Sequence, residues 1–455
     1  MSTENFMSPN SHRLKALLSR LMRSRIVHNI GALYAVQIVT YVVPLTVIPY
    51  LARVLGPYHW GRVAFAQALG IYFSLIVDFG FQLSAARKVA RSVDDKQAIE
   101  RTLAGVMGAK ILLAIACIAM FFLLQIAFPV FARDRRLLWI GAIAGIGQGF
   151  SILWLYQGLE RMKTSSSIDI ATKAVYLIGV FLVIRHPTDD WKVVGLQCVC
   201  NVTGTLILLR RAYSEFQFRL PDIAGIWDEM RESASMFLFR SAIFLYTTAN
   251  ALILGIVASP VAVGFYAGPE KITRAILGLL NPVSQSIFPR VSRVVVTDPK
   301  RAIYLARVSL IGTLSFGLIL GIGLYVYAPT VIRILLGRGY EQAIPVLRIL
   351  SFLLPTISTA NVLGIQWMLP LGMDRAYNKA VISAGLLNLG LAAWWASRWQ
   401  QVGMAWAVVS AETLVTSLIC IFLWRSGLQP WKREDILTEA LMSHVGGRNP
   451  DYALP

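Results

Sequence analysis

Long apolar runs alternate with short polar segments along the whole chain. Twelve runs of roughly 20 residues stand out, and they lie at 30–52, 62–85, 103–127, 137–157, 166–185, 192–210, 234–257, 261–288, 303–327, 342–368, 378–397 and 402–424. Each run is long enough to cross the hydrocarbon core of a bilayer, and in lipid it must be helical because only a helix satisfies its own backbone hydrogen bonds. The pattern predicts an all-α polytopic membrane protein with about 12 transmembrane helices.

The apolar pattern also contains a repeat. The segments GPYHWGRVAFAQ, from Gly56 to Gln67, and SPVAVGFYAGPE, from Ser259 to Glu270, align at an offset of 203 positions. The matching pairs are Pro57 with Pro260, Gly61 with Gly264, Ala64 with Ala267, Gln67 with Glu270, and Arg87 with Arg290. A duplicated membrane segment with polar residues at matching depths is typical of a transporter built from two related halves.

The runs and the repeat divide the chain into five parts. They are a basic N-terminal segment at 1–27, a first six-helix half at 28–211, a linker at 212–232, a second six-helix half at 233–425 and a tail at 426–455. Six crossings return the chain to the side on which it started, so both halves begin with the same orientation. We therefore predict a parallel repeat with the substrate between the halves.

Charge adds the orientation of the chain. Charged residues make up 15% of the sequence, apolar residues 56%, and the mean hydropathy is +0.60. Lysine and arginine concentrate at the N-terminus, after the second and eighth spans, in the linker and in the tail; the main exception among the other loops is Arg133, Arg135 and Arg136. The positive-inside rule predicts that both termini are cytoplasmic. The net charge of +19 is then a topology signal, and no nucleic-acid partner is predicted.

Other chemistry is sparse. Residues 1–27 contain no apolar core of a signal peptide, and 12–27 fit either a basic amphipathic helix on the membrane surface or a disordered leader. The four cysteines lie in predicted spans, and the five histidines lie outside span centres. Since neither set has the spacing of metal ligands, and no nucleotide-binding motif is visible, we predict no metal, no cofactor and no catalytic residue.

Ionisable residues within the apolar runs are costly and are therefore candidates for function. The leading cluster is Glu270, Lys271 and Arg274 in the eighth span, where Glu270 and Arg274 are four residues apart and can pair on one helix face. A neutralised pair that only helps helices pack is the alternative interpretation. Two prolines, Pro269 and Pro282, are expected to kink this helix.

Further charged candidates lie in other spans. Arg240 could bind a diphosphate as a planar fork or could extend to the interface. Glu412 lies near the middle of the last span without an obvious partner, and Asp78 lies near the cytoplasmic end of the second. Asp169 and Lys173 are four apart, which favours local charge cancellation.

Uncharged polar residues within the spans are open to two interpretations. They could line a sugar path, or they could form hydrogen bonds between helices. The candidates are Gln67, Asn281, Gln285, Asn361, Gln366 and Asn388.

Three segments resemble one known family. The run WLYQGLERMK, from Trp154 to Lys163, is similar to the loop between the fourth and fifth helices of Wzx-type polysaccharide flippases. FPRVSR, from Phe288, resembles the end of their eighth helix, and YLARVLGPYHWG, from Tyr50, resembles their first periplasmic turn. The resemblance covers nearly all of residues 28–425 and implies a member of the multidrug/oligosaccharidyl-lipid/polysaccharide exporter superfamily.

The resemblance implies a function. Wzx proteins move undecaprenyl-diphosphate-linked oligosaccharide repeat units from the cytoplasmic to the periplasmic leaflet of the bacterial inner membrane. The implied partners are this glycan lipid and membrane lipid, with a polysaccharide polymerase and a chain-length regulator as candidates. Such a substrate needs a cationic cavity, so we assign substrate binding to Arg240, Lys271, Arg274, Gln67 and Asn281, and ion coupling to Glu270, Glu412 and Asp78.

Three alternatives stay open. A drug/cation antiporter of the same superfamily would need an anionic cavity, against which the basic cluster argues. A membrane polysaccharide polymerase or ligase would need a large periplasmic loop, whereas the loops predicted on that side are short. The relatives that flip peptidoglycan precursors usually have fourteen helices rather than twelve.

Overall fold

The computed structural model describes the backbone of residues 25–446 and most side chains between 46 and 442. Its helices are α1 (Arg25–Asp78), α2 (Phe81–Arg91), α3 (Lys96–Ala127), α4 (Pro129–Arg133), α5 (Arg135–Gly149), α6 (Leu153–Gly158), α7 (Met162–Val183), α8 (Asp190–Glu215), α9 (Ile223–Thr247), α10 (Asn250–Val257), α11 (Pro260–Gly278), α12 (Asn281–Thr297), α13 (Pro299–Val326), α14 (Ala328–Leu335), α15 (Ala343–Ser351), α16 (Leu353–Ala360), α17 (Asp374–Ser426) and α18 (Glu434–Gly446). A 3₁₀ turn (Pro187–Asp189) precedes α8, and a π-helix (Asn361–Met368) follows α16. The described chain is therefore a bundle of helices, as the apolar pattern predicts, and the predicted amphipathic segment at 12–27 lies almost wholly outside it.

Two of the long helices are interrupted by one residue each. Gly56 in α1 has φ 69° and ψ 171°, and Gln400 in α17 has φ 48° and ψ −127°. These breaks fall in the loops that the sequence predicts between the first and second spans and between the eleventh and twelfth. Glycine enters the positive-φ region at little cost, whereas a glutamine there is strained.

Eight segments of the described chain are long and apolar enough to cross a membrane, and two of them contain the breaks at Gly56 and Gln400. The helices that carry Arg240 and the Glu270–Arg274 cluster, α9 and α11, are not among the eight. Their charged side chains and interruptions lower the local hydropathy. The chain is a multi-span membrane protein, and the count of twelve spans stays a prediction.

The two copies of the repeat lie against each other. A Cβ added at Gly61 would lie 1.8 Å from the carbonyl oxygen of Pro260, and a Cβ added at Gly264 would lie 2.0 Å from that of Pro57. Backbones approach this closely only where neither helix has a side chain at the contact. The reciprocity is what a two-fold axis between the copies produces, so it supports the predicted parallel repeat. We call these four residues the glycine contact.

A second contact between α2 and α9 differs in chemistry. The Lys88 ammonium pairs with Glu229 and lies 3.7 Å from Glu232, and the hydroxyls of Ser84 and Ser233 lie 2.6 Å apart. We call these five residues the ion-pair contact. It joins the end of the second predicted span to the start of the seventh, on the side predicted to be cytoplasmic.

The tail is anchored to the second half. In α18, Leu437 and Leu441 are fully buried in a cluster with residues of α12, α13 and α17. The Arg307 guanidinium donates to the carbonyl oxygens of Pro430 (2.6 Å) and Lys432 (2.5 Å). The sequence did not predict this helix, because its few apolar residues alternate with charged and polar ones in a segment too short to span a membrane.

Candidate functional site

A cavity of about 850 Å³ lies between helices of both halves. Its lining comes from α1, α2, α5, α6, α7 and α8 of the first half and from α9, α10 and α11 of the second. It extends from Trp60, beside the glycine contact, to Gln82, beside the ion-pair contact. The cavity therefore occupies the position between the halves at which the sequence predicts the substrate.

The second-half wall of the cavity carries three cations, Arg240 from α9 and Lys271 and Arg274 from α11. Lys271 and Arg274 are three residues apart, which places them on one face of α11. The Lys271 ammonium donates to Gln67 Oε1 at 2.9 Å and lies 4.5 Å from the centre of the Trp60 ring. It is thus held by one hydrogen bond and one cation–π contact, both from the first half.

Arg240 pairs with Asp78 across the halves, with Nη1 and Oδ2 2.5 Å apart. Asp78 is the last residue of α1, and the two residues after it, Phe79 (φ 44°) and Gly80 (φ 81°), separate α1 from α2. The carboxylate of Asp78 therefore sits directly at a bend that leads into the ion-pair contact.

Lys110 also lies beside Asp78, with Nζ 4.0 Å from Oδ1. Its side chain is 0% exposed and donates to the carbonyl oxygens of Gly149 (2.7 Å) and Ser151 (2.8 Å), where α5 ends. A fully buried lysine that satisfies the orphan carbonyls of a helix end stabilises the bend between α5 and α6. Lys110 was not among the residues predicted from the sequence, although a lysine inside an apolar run itself indicates a buried, partnered charge.

The first-half wall is rich in uncharged polar groups. Gln67 donates from Nε2 to Gln197 Oε1 at 3.0 Å, so a chain of hydrogen bonds runs from Lys271 through Gln67 to Gln197. Asp169 and Lys173 of α7 pair at 2.7 Å. The wall's other amides could not be recognised from the sequence, since an isolated glutamine or asparagine in a span is equally explained by hydrogen bonds between helices.

The charge balance of the lining is positive. Its cations are Lys173, Arg240, Lys271 and Arg274, and its carboxylates are Asp78 and Asp169. An excess of cations inside low-dielectric walls raises the local concentration of anions. The cavity is therefore suited to an anionic ligand.

The structure brings most of the predicted site residues together. Arg240, Lys271, Arg274, Gln67 and Asp78 line the cavity. Three others do not.

Glu270 lies outside the lining and pairs with Arg274, with Oε1 2.9 Å from Nη2. Glu412 of α17 also lies outside it and interacts electrostatically with the same arginine. Asn281, the first residue of α12, lies away from the cavity, so its assignment to substrate binding gains no support from the geometry.

The structure distinguishes the two interpretations of the uncharged polar residues, lining of the cavity and hydrogen bonding between helices. Gln67 lines the cavity, whereas three others bond neighbouring helices. Asn361 accepts from the Ser284 hydroxyl (2.8 Å), Gln366 accepts from that of Ser309 (2.5 Å), and Asn388 donates to Asn250 (3.2 Å). Helix packing therefore explains these three, while the side chain of Gln285 lies outside the described residues.

A family of polysaccharide biosynthesis proteins matches residues 26–295. This match covers more than half of the chain. The chain belongs to the polysaccharide biosynthesis protein family.

Two relatives agree with this family. The chain is 31% identical over 402 residues to the "Putative O-antigen transporter" of Escherichia coli (strain K12), covering 87% of this chain and 96% of the relative. It is 29% identical to the protein of the same description from Shigella dysenteriae, covering 79% and 90%. The predicted resemblance to polysaccharide flippases is confirmed.

Solved structures show the same fold. "Lipid II flippase MurJ, inward closed conformation" superposes with a TM-score of 0.69 over 94% of each chain, at 14% sequence identity. A multidrug resistance MATE family transporter of the MOP superfamily, in an inward-facing conformation, superposes with a TM-score of 0.60, also at 14% identity, over 90% of this chain and 96% of that one. At this identity the likeness establishes the fold of the family member and nothing about its substrate.

Proposed function

We propose that this protein flips undecaprenyl-diphosphate-linked oligosaccharide repeat units from the cytoplasmic to the periplasmic leaflet of the bacterial inner membrane. The two halves would alternate in their access to the two sides, with ion coupling. The family membership and the relatives described as O-antigen transporters support transport of a lipid-linked polysaccharide precursor. The proposed site of transport is the cavity between the halves.

The observation that carries the proposal is the cationic second-half wall, formed by Arg240, Lys271 and Arg274. A diphosphate loses its hydration when it leaves water, and this cost must be met by charged donors inside the protein. Guanidinium groups bind phosphate oxygens in a bidentate fork, and Lys271 adds a point charge. The volume of about 850 Å³ lies within the range of small-molecule cavities, which suits a diphosphate and its first sugars.

Ion coupling would use the carboxylates around Arg274. Glu270 pairs with this arginine, and Glu412 interacts with it electrostatically from α17. Protonation of either carboxylate, or binding of a cation to it, would change the net charge that Arg274 presents to the cavity. The arginine therefore offers a physical link between ion binding and anion binding, and the same link favours Glu270 and Glu412 over Asp78, whose partner is Arg240.

Two alternatives fit less well. A drug/cation antiporter needs a cavity that attracts cations, but this lining holds four cations and two carboxylates. A polymerase or ligase would be a membrane enzyme, whereas both curated relatives are described as transporters. A polysaccharide polymerase and a chain-length regulator remain candidate partners of the proposed flippase.

A flipping assay in liposomes tests the proposal. Purified protein is reconstituted with a labelled polyprenyl-diphosphate glycan, and the fraction reached by an external glycan-modifying enzyme is followed over time. Wild type should expose lipid from the inner leaflet much faster than empty liposomes, and Lys271→Ala and Arg274→Ala should slow this strongly. Arg161→Ala, which alters an exposed ion pair with Glu215, is the matched control. Equal rates for wild type and empty liposomes would refute the proposal.

A further inference from the structure

The two walls of the cavity differ in kind of chemistry. Among the described residues, the second-half lining contributes three cations and the Thr248 hydroxyl, but no amide and no carboxylate. The first-half lining contributes five side-chain amides, from Gln67, Gln82, Gln148, Gln197 and Asn201, together with the Asp169–Lys173 pair and Asp78, the partner of Arg240. The amides of the lining are therefore confined to the first-half wall, whereas three of its four cations lie on the second-half wall.

We propose that the first-half wall is the glycan subsite and that Gln148, Asn201 and Asp169 determine which sugars the protein accepts. This inference rests on the proposed function. A sugar hydroxyl both donates and accepts, so a neutral carboxamide, which also does both, fits it better than a cation does. The ring of Tyr176 lines the same wall and offers a surface for the apolar face of a sugar ring.

The five amides lie on helices α1, α2, α5 and α8. A Cβ added at Gly147 would lie 2.8 Å from a methyl group of Val202, so α5 and α8 pack closely at this level, and Gln148 and Asn201, the residues next to these two in sequence, both line the cavity. A Cβ added at Gly204 would lie 3.0 Å from the Thr172 methyl group of α7. Helix α7 therefore also packs closely against α8, and its Asp169 and Lys173 line the same cavity.

The amides are not all engaged within the protein. Gln67 and Gln197 bond to each other, and Gln67 also accepts from Lys271. In contrast, no hydrogen bond joins the side-chain amides of Gln148 and Asn201 to other residues within the described part of the chain. A carboxamide between membrane helices needs a partner. Water in the cavity would supply these hydrogen bonds when no substrate is bound, and sugar hydroxyls would replace the water when the substrate binds.

This arrangement orients the substrate across both halves. The diphosphate lies on the α9 and α11 cations, and the sugars extend toward α5, α7 and α8. Binding of the diphosphate and binding of the sugars can then be measured separately. An amide contributes little to phosphate binding, and the cations contribute equally to the binding of every lipid diphosphate. A substrate that contacts both walls also links the halves during transport.

Binding of two lipids separates these contributions. The affinity of the purified protein is measured for undecaprenyl diphosphate without sugar and for the same lipid carrying the repeat unit of the native polysaccharide. Gln148→Ala and Asn201→Ala should each weaken binding of the glycan lipid about two- to tenfold and leave the bare lipid unchanged, as expected for one lost hydrogen bond. Arg274→Ala should weaken both lipids by the same factor. Gln97→Ala, at an exposed amide outside the cavity, is the control.

The outcomes distinguish failure of the glycan subsite from failure of the proposed flippase function on which it rests. Equal weakening of both lipids by Gln148→Ala and Asn201→Ala, or no weakening of either, would overturn the glycan subsite. If wild type binds the bare lipid as tightly as the glycan lipid, the subsite is also wrong, although a lipid-diphosphate flippase survives. If wild type binds neither lipid, the proposed function fails. If an alanine variant does not fold, the glycan subsite is still tested by Asn201→Ser and by comparing the wild-type affinities for the bare lipid and the glycan lipid.

Discussion

The glycine contact and the ion-pair contact hold the same two halves together by opposite means. At the glycine contact, Gly61 and Gly264 let two backbones touch, with no side chain between them. At the ion-pair contact, Lys88, Glu229 and Glu232 join α2 to α9 through charged groups. Backbone packing is lost as soon as the helices separate, whereas charged groups that part can be solvated by water.

This difference indicates how the halves could move. The ion-pair contact adjoins the bend at Phe79 and Gly80, and Asp78 on the same bend holds Arg240 of the cavity. An anion that binds Arg240 and breaks its ion pair with Asp78 therefore acts at the bend that leads into the ion-pair contact. We expect the ion-pair contact to open for substrate while the glycine contact stays closed, and to close when the other side opens.

The largest effect is expected from filling the glycine contact. Gly61→Ala or Gly264→Ala places a methyl group about 2 Å from a backbone oxygen, which no side-chain rotation relieves. Each should lower stability by about 3 kcal/mol, at the upper end for overpacking. Thermal unfolding in detergent measures this. Gly312→Ala, where no atom lies within 4 Å, is the control and should be almost neutral. Near-wild-type stability of both variants would show that the backbones are not this close in the folded protein.

A smaller effect is expected at the ion-pair contact. Lys88→Ala leaves the buried carboxylate of Glu229 without its closest cation. Lys88 is 39% exposed, so we expect a loss of about 1–2 kcal/mol, below the cost at a fully buried pair. A double-mutant cycle with Glu229→Ala, followed by thermal unfolding, measures the coupling. Strict additivity of the two single changes would mean that the pair does not hold the halves.

The link between cavity and contact is tested at Asp78. Asp78→Asn removes the carboxylate with which a phosphate must compete for Arg240. The affinity for a lipid diphosphate should rise about two- to tenfold, in line with one charge-assisted hydrogen bond. Asp134→Asn, which loses a pair with Arg62 outside the cavity, should leave the affinity unchanged. A fall in affinity for Asp78→Asn would mean that this carboxylate organises Arg240 for the substrate instead of competing with it.

The smallest effect is expected for an exposed pair. Arg161 and Glu215 are about half exposed and pair at 2.5 Å. Arg161→Ala should change the free energy of unfolding by less than about 0.5 kcal/mol. A larger loss, seen by thermal unfolding, would show that surface pairs also stabilise this fold and would weaken the contrast between the two contacts.

Much of the fold follows from one-dimensional patterns. Apolar runs predict the helices, and the polar gaps between them predict the breaks at Gly56 and Gln400. The offset of the repeat pairs Pro57 with Pro260 and Gly61 with Gly264, and these four residues meet crosswise in space, Gly61 on Pro260 and Gly264 on Pro57. These features are predictable because lipid allows few solutions for a long apolar segment.

The site was only partly predictable. Helical spacing places Glu270, Lys271 and Arg274 together, but which of them faces the cavity depends on how α11 is rotated against α1. The pairing of Asp78 with Arg240 joins residues 162 positions apart, and no local pattern encodes it. Gln148 and Asn201 line one cavity because α5 and α8 pack together, as they do at Gly147, and no local pattern shows this.

A reversible cross-link tests alternating access most directly. The hydroxyls of Ser84 and Ser233 lie 2.6 Å apart, so a Ser84→Cys/Ser233→Cys variant, with the four native cysteines replaced, should form a disulfide on oxidation. Flipping of a polyprenyl-diphosphate glycan in liposomes is then compared before oxidation, after oxidation and after reduction. If the ion-pair contact must open during transport, oxidation stops flipping and reduction restores it. Undiminished flipping by a fully cross-linked protein would contradict the account, because the ion-pair contact would not need to open.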